Sequence, residues 1–237
     1  MFYADSHNHD NSLAGNNIKS LTCALNKKEA LSLIEEKRHN NNIYISYGIH
    51  PLYIKDYTRE NMDFMERLCS DKVLSCVGEC GFDLYTKESK ATLEIQKKIF
   101  DFQLELAVQY DLPLVIHNLK AFDCIMQCRS RLKNVKAVYF HAWAFTYNEA
   151  LSLLNHGINA YFGFGKSLIN DSRKALLSFT AIPLERILLE TDSPYQLKGC
   201  DITKVYDKAC CIKNMDMEEF SDCMERNFNK FLDLQNI

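Results

Sequence analysis

The chain has 237 residues, 47% hydrophobic and 25% charged, with a formal net charge of −3 at pH 7. That slight acidic excess excludes a protein that coats nucleic acid through bulk positive charge, but not an enzyme that grips one or two phosphates. Eight glycines and four prolines exclude a loop-dominated or low-complexity chain, and the length lies close to the roughly 250 residues of an α/β barrel.

Short β-rich runs alternate with longer stretches whose apolar residues recur every three to four positions. Strands are expected at 2–5, 21–25, 43–47, 73–78, 114–116, 137–140, 159–162 and 186–189. Helices are expected at 27–39, 61–69, 92–109, 121–132, 148–156 and 171–179, with a last one at 217–231. Only the first strand-to-strand connection, residues 10–20, is too polar and short for a good helix. Such alternation implies a parallel sheet with crossover helices. Eight strands in this length favour one α/β domain over 1–237, a (β/α)8 TIM barrel with a nearly deleted first helix. An open doubly wound sheet is disfavoured, because no Gly-x-Gly-x-x-Gly follows the first strand. Residues Gly163, Gly165, Lys166 and Ser167 resemble the end of a P-loop but lack its first glycine and spacer.

The ten cysteines include no Cys-x-x-Cys pair. Several lie in apolar runs, where the thiol acts as a small hydrophobe, and the Cys76/Cys80 and Cys124/Cys128 pairs read as core filling. The first residues hold no basic segment leading into an apolar one, and no apolar run approaches the ~18 residues of a membrane span. A cytoplasmic protein with free thiols is expected, with no membrane association and no obligate protein partner.

Chemistry in such a barrel sits at the carboxyl ends of the strands. Asp5, His7 and His9 follow the first run, and His50 the third. Glu79 follows the fourth, with Asp83 four residues on; then come His117, His141 and the Glu190–Thr191–Asp192 tripeptide. Of seven histidines only His39 and His156 lie elsewhere, near helix ends. Neutral imidazoles and carboxylates converging from several strands suit a divalent ion such as Zn, Mn or Fe. His7, His9, His117, His141, Glu79 and Asp192 exceed what one tetrahedral ion uses, so a pair bridged by Glu79 is expected.

These residues resemble the TatD-type deoxyribonucleases of the amidohydrolase superfamily. The resemblance rests on Asp5-x-His7-x-His9, Gly48–Pro51, the Gly78–Asp83 segment, Leu114–His117, His141 and the segment from Leu189 to Tyr195. It implies a (β/α)8 barrel, one or two divalent ions (Mg, Mn or Zn) and hydrolysis of phosphodiester bonds, often as a nuclease trimming DNA from its 3′ end. By the same resemblance His7, His9, Glu79 and Asp192 hold one ion, and Glu79, His117 and His141 the other. Catalysis then falls to Asp192, Glu79 and His50, with Asp192 accepting the proton of the attacking water and His50 orienting the phosphate. Single-stranded DNA or another phosphoester is the expected partner.

Where the family commonly has a second histidine after His50–Pro51, this chain has Leu52; where it has an arginine, Leu119; and His141–Ala142–Trp143 replaces a His-Cys-Phe segment. Phosphate and base contacts are therefore sought elsewhere, in Lys120, Trp143 and Tyr195, with Lys166 and Lys198 on the same barrel face. Trp143 as a loop anchor packed on the barrel rim is an open alternative to base stacking. The alternative activity is hydrolysis of another ester or amide, including aminoacyl-tRNA, by the same metal chemistry. A non-enzymatic binding protein would be signalled by a lost ligand, and none is lost.

Overall fold

The structure, a computed structural model, describes residues 1–10, 14–15, 17–193 and 201–234. Eight parallel strands pair in chain order: β1 (Tyr3–Asn8), β2 (Ile18–Ala24), β3 (Ile43–Tyr47), β4 (Cys76–Asp83), β5 (Leu114–Leu119), β6 (Val138–Phe140), β7 (Ala160–Phe164) and β8 (Ile187–Leu189). Past β8 the chain returns to β1. Asp192 donates its backbone N–H to His7 O at 2.9 Å, and His9 donates to Ser193 O at 2.7 Å. Asp5 accepts from Thr191 through its backbone N–H at 3.0 Å and its hydroxyl at 2.6 Å. The sheet is therefore a nearly closed barrel, a (β/α)8 TIM fold.

The helices of the crossovers are α1 (Lys27–Lys37), α2 (Arg59–Ser70), α3 (Lys87–Ala91), α4 (Leu93–Gln109), α5 (Phe122–Gln127), α6 (Arg129–Leu132), α7 (Tyr147–Asn155), α8 (Lys166–Ile169) and α9 (Arg173–Ala181). Among the described residues, none lies between β1 and β2. Side-chain caps fix several starts: Asn26, Thr58 and Thr146 each accept a backbone N–H three residues on. Among the described residues two helices follow β8, α10 (Ile202–Lys213) and α11 (Met217–Phe231). No helix among the described residues is long and apolar enough to cross a membrane.

The larger core lies between strands and helices. A second cluster fills the barrel: Ala4, Leu21, Cys76, Val115, Tyr139, Tyr161 and Leu188, capped by Phe228 and Phe231 of α11. Side chains two apart on a strand share a face. The inward face of Val115 therefore continues to His117, that of Tyr139 to His141, and that of Leu188 to Glu190. The layer that plugs the barrel sets which polar residues arrive above it.

Three expectations shift. Residues 73–78 were expected to end a strand at Gly78, but β4 runs on through Glu79 to Asp83. Gly78 and Gly81 make this possible, with φ of +133° and +132° and carbonyl groups of β5 so near that a Cβ would stand 2.5 Å from Val115 O and 2.0 Å from His117 O. The pairing register of β4 with β5 shifts between Val77 and Cys80, which brings Glu79 to the interior. The single helix expected over 121–132 breaks at Cys128, whose backbone leaves the helical region (φ −92°, ψ 1°). Helix α10 has no counterpart in the sequence expectation, although Ile202, Val205, Tyr206, Ala209 and Cys210 bury one helical stripe.

Candidate metal centre

Glu79 stands at the centre of the carboxyl-end face, 3% exposed. One oxygen, Oε1, lies 2.6 Å from His141 Nε2, 2.9 Å from His117 Nδ1 and 3.4 Å from His50 Nε2. The other, Oε2, lies 3.4 Å from His7 Nε2 and 3.7 Å from His9 Nε2. Asp192 Oδ1 closes the second group at 3.4 Å from His9 Nε2 and 3.7 Å from His7 Nε2. Among the described residues three sets of donor atoms are compact enough for an ion: His7–His9–Glu79, His7–His141–Asp192 and His50–Glu79–His117.

The donor set fits a divalent cation on its own chemistry. His7 is fully buried and, among the described residues, neither of its ring nitrogens has a hydrogen-bond partner. Its Nε2 nevertheless faces two carboxylates, Glu79 at 3.4 Å and Asp192 at 3.7 Å, longer than the usual hydrogen bond but suited to a cation between them. Burial, with the charge of His141, lowers its pKa to about 4, so its lone pairs are available at neutral pH. Burial would raise the Glu79 and Asp192 carboxyls, but the surrounding histidines outweigh it and hold both below the usual carboxylate range. Burial would likewise depress His141, yet Glu79, with Glu190 and Asp192, raises it to about 10. A cation would displace that proton.

Neighbouring acceptors orient the imidazoles. Cys23 O lies 2.9 Å from His9 Nδ1, which places the proton there and turns the Nε2 lone pair toward Glu79 and Asp192. Asp83 Oδ2 lies 3.2 Å from His117 Nε2, which leaves the Nδ1 lone pair facing Glu79 and His141. Leu52 donates its backbone N–H to His50 Nδ1 at 3.1 Å, so His50 carries its proton on Nε2.

The structure thus brings together His7, His9, His50, Glu79, His117, His141 and Asp192. Trp143, considered for base stacking, is corrected: its indole is 2% exposed, packed against Phe162 at 4.7 Å, Phe145 at 5.2 Å and Phe140 at 5.8 Å. Its ring faces are taken by the core. Lys120 stands outside the cluster with Nζ 4.5 Å above the ring of Tyr85, itself 59% exposed. Tyr195 and Lys198 lie outside the described residues.

Sequence reasoning left several supporting residues without a role. Asp83 belongs to a quoted motif and orients His117. Asp5 turns its carboxylate to Thr191 rather than to the imidazoles. Glu190 accepts from the Ala142 backbone at 2.6 Å and from the Tyr139 hydroxyl, holding the turn after His141; its only sequence signal is its place beside Asp192. The site opens into a cavity of about 230 Å³, with Leu25, Leu52 and Tyr53 forming an apolar side.

The family model for TatD related DNase matches residues 4–233. The chain belongs to this family. A "3'-5' ssDNA/RNA exonuclease TatD" of Erwinia amylovora is 30% identical over 179 residues, covering 74% of this chain and 67% of the relative. An uncharacterized metal-dependent hydrolase of Mycoplasma pneumoniae is 30% identical over 219 residues, covering 82% of each. The TatD homologue YjjV of Escherichia coli superposes with a TM-score of 0.86 at 18% identity, covering 98% of both chains. The protein is a TatD-family metal-dependent hydrolase, and the imidazole–carboxylate cluster offers donor groups that could hold a metal ion.

Proposed function

We propose that this TatD-family protein is a nuclease that hydrolyses phosphodiester bonds of single-stranded DNA, removing nucleotides from the 3′ end. The observation that carries the reading is the Glu79 carboxylate, with one oxygen facing His7 and His9 and the other facing His117 and His141. In this reading His7, His9, Glu79 and Asp192 hold one divalent ion (Mg, Mn or Zn), and Glu79, His117 and His141 hold a second. Such ions supply a water of lowered pKa and offset charge on the non-bridging phosphate oxygens.

The side chains do the rest. Asp192, ionised at neutral pH, accepts the proton of the attacking water. His50 lines the cavity with its proton on Nε2, so it donates to a phosphate oxygen rather than offering a lone pair to a metal. The name of the Erwinia relative supports nucleic acid as substrate. The apolar side formed by Leu25, Leu52 and Tyr53 favours a second reading, hydrolysis of an uncharged ester or amide bond, in a small molecule or in aminoacyl-tRNA.

The test is cleavage of end-labelled single-stranded DNA by metal-stripped protein resupplied with Mg, Mn or Zn, with Glu79→Ala as control. The nuclease reading predicts metal-dependent shortening from the 3′ end, absent in the variant. Binding of ions without cleavage of any phosphodiester would move the assignment to the second reading.

A further inference from the structure

Inward side chains of alternate strands share layers inside a barrel. On β2, Leu21 belongs to the cluster that fills the barrel, and Cys23, two residues on, shares its inward face. Cys23, 1% exposed, therefore reaches β4 from β2, across β3. Its thiol accepts the Glu79 backbone N–H at 3.0 Å and donates to Gly78 O at 3.3 Å. Ser46 of β3, in register beside Cys23, donates its hydroxyl to the same carbonyl at 2.6 Å.

That peptide falls between the registers of the sheet. The pairing of β4 with β3 ends at Val77, and its pairing with β5 passes from Val77 to Cys80, so neither includes Gly78 or Glu79. Two side chains, a thiol and a hydroxyl, thus hold the peptide from which the central carboxylate projects. Cys23 also serves a second residue of the cluster through its backbone, since its carbonyl lies 2.9 Å from His9 Nδ1. One residue of β2 thereby touches two members of the His7–His9–Glu79 donor set. Core filling alone would ask only for a small apolar side chain here. Alanine or valine would meet that need and leave the buried Glu79 N–H without its acceptor, which is costly.

We propose that Cys23 is a positioning residue of the metal centre: its thiol fixes the Glu79 backbone so that the carboxylate stands between the two groups of histidines, and so sets how tightly a divalent cation is held. The inference rests on Glu79 and His9 as ligands, as proposed above, and is independent of which bond is cleaved. A thiol suits the place because it accepts and donates at once.

The probe is cobalt(II), titrated into metal-stripped protein in competition with a chromogenic chelator while the visible absorption of the bound ion is recorded. Cys23→Ala removes the thiol and keeps the carbonyl that orients His9. It should weaken cobalt binding about tenfold or more, the usual loss when a partner behind a ligand is removed, and should shift the absorption band as Glu79 moves. Cys23→Ser, whose hydroxyl still accepts and donates, should recover most of both. A thiol that merely filled the core would lower the melting temperature of the metal-stripped chain and leave affinity and band native. Cys23→Val fills the space without offering an acceptor, and gives the same test where the alanine variant does not fold. Native affinity and band in Cys23→Ala or Cys23→Val, or a loss that serine leaves unrepaired, overturns the proposal. Unaltered cobalt binding in Glu79→Ala removes Glu79 as a ligand and the proposal with it, whereas loss there beside native binding in the Cys23 variants removes the proposal alone. Thiol-dependent affinity in a protein that cleaves no DNA keeps the proposal and removes the nuclease reading.

Discussion

Asp83 touches no ion in this account, yet its removal should weaken metal binding. Its Oδ2 faces His117 Nε2 at 3.2 Å, while Oδ1 accepts from the Tyr85 backbone at 2.9 Å and from the Ser89 hydroxyl at 3.2 Å. Gln96 clamps the Asp83 backbone, accepting its N–H at 2.9 Å and donating to its carbonyl at 3.1 Å. The carboxylate is therefore fixed in place and fixes the tautomer of His117. Asp83→Ala frees the ring to rotate or to exchange its proton to Nδ1, the nitrogen that faces Glu79. Losing such an outer partner typically costs 10–100-fold in metal affinity, roughly 1.4–2.7 kcal/mol. The Tyr85 and Ser89 donors also lose an acceptor, about 1 kcal/mol each. Asp83→Asn keeps an acceptor of the same shape and should lose less affinity than Asp83→Ala. Competition against a chromogenic chelator gives the affinity, and thermal melting of the metal-stripped proteins gives the stability term separately. Native affinity and turnover in Asp83→Ala would refute the argument that this carboxylate orients His117.

Metal affinity should rise with pH. The His141 pKa, raised to about 10 without metal, means that a proton present at neutral pH must leave when an ion binds; His9 and His117 are raised as well. Each proton released adds about tenfold per pH unit, so chelator competition at pH 6, 7 and 8 should give a positive slope, and a flat profile contradicts the assignment. Gly81→Ala would place a Cβ 2.0 Å from His117 O at a φ of +132°; melting should show a loss of several kcal/mol, about 1–3 from backbone strain, together with weaker metal binding. Trp143→Ala should cost about 3–5 kcal/mol of stability as a core truncation. A native melting temperature with only a raised KM for DNA would restore its role as a stacking surface.

The alternation of strands and helices was legible because strands buried on both faces are short apolar runs and their helices are striped. The convergence of the polar strand ends was legible for a different reason: histidines and carboxylates following several apolar runs have no cheap structural explanation when they fall on one barrel face. The strand limits were not legible, since β1 continues through His7 and β4 through Glu79. Polar residues and glycines read as loop until barrel closure supplies their partners. Helix α10 was hidden by the short, weakly apolar stripe in which Cys210 and Ala209 stand for larger residues. Trp143 stayed open between stacking and anchoring because a rim position says nothing about which way an indole turns; here three phenylalanines draw it inward. The roles of Asp83 and Glu190 depend on a ring nitrogen and a turn contributed by other strands, which no local pattern encodes.

The central claim is that Glu79 is shared between two groups of histidines and holds their ions together. Its most direct test is the number of divalent ions bound, measured by elemental analysis and by titration of metal-stripped protein, in the native chain, Glu79→Ala and His50→Ala. The account predicts about two tightly held ions in the native chain, loss of tight binding in Glu79→Ala, and retained binding with impaired turnover in His50→Ala. Native stoichiometry and affinity in Glu79→Ala would contradict it.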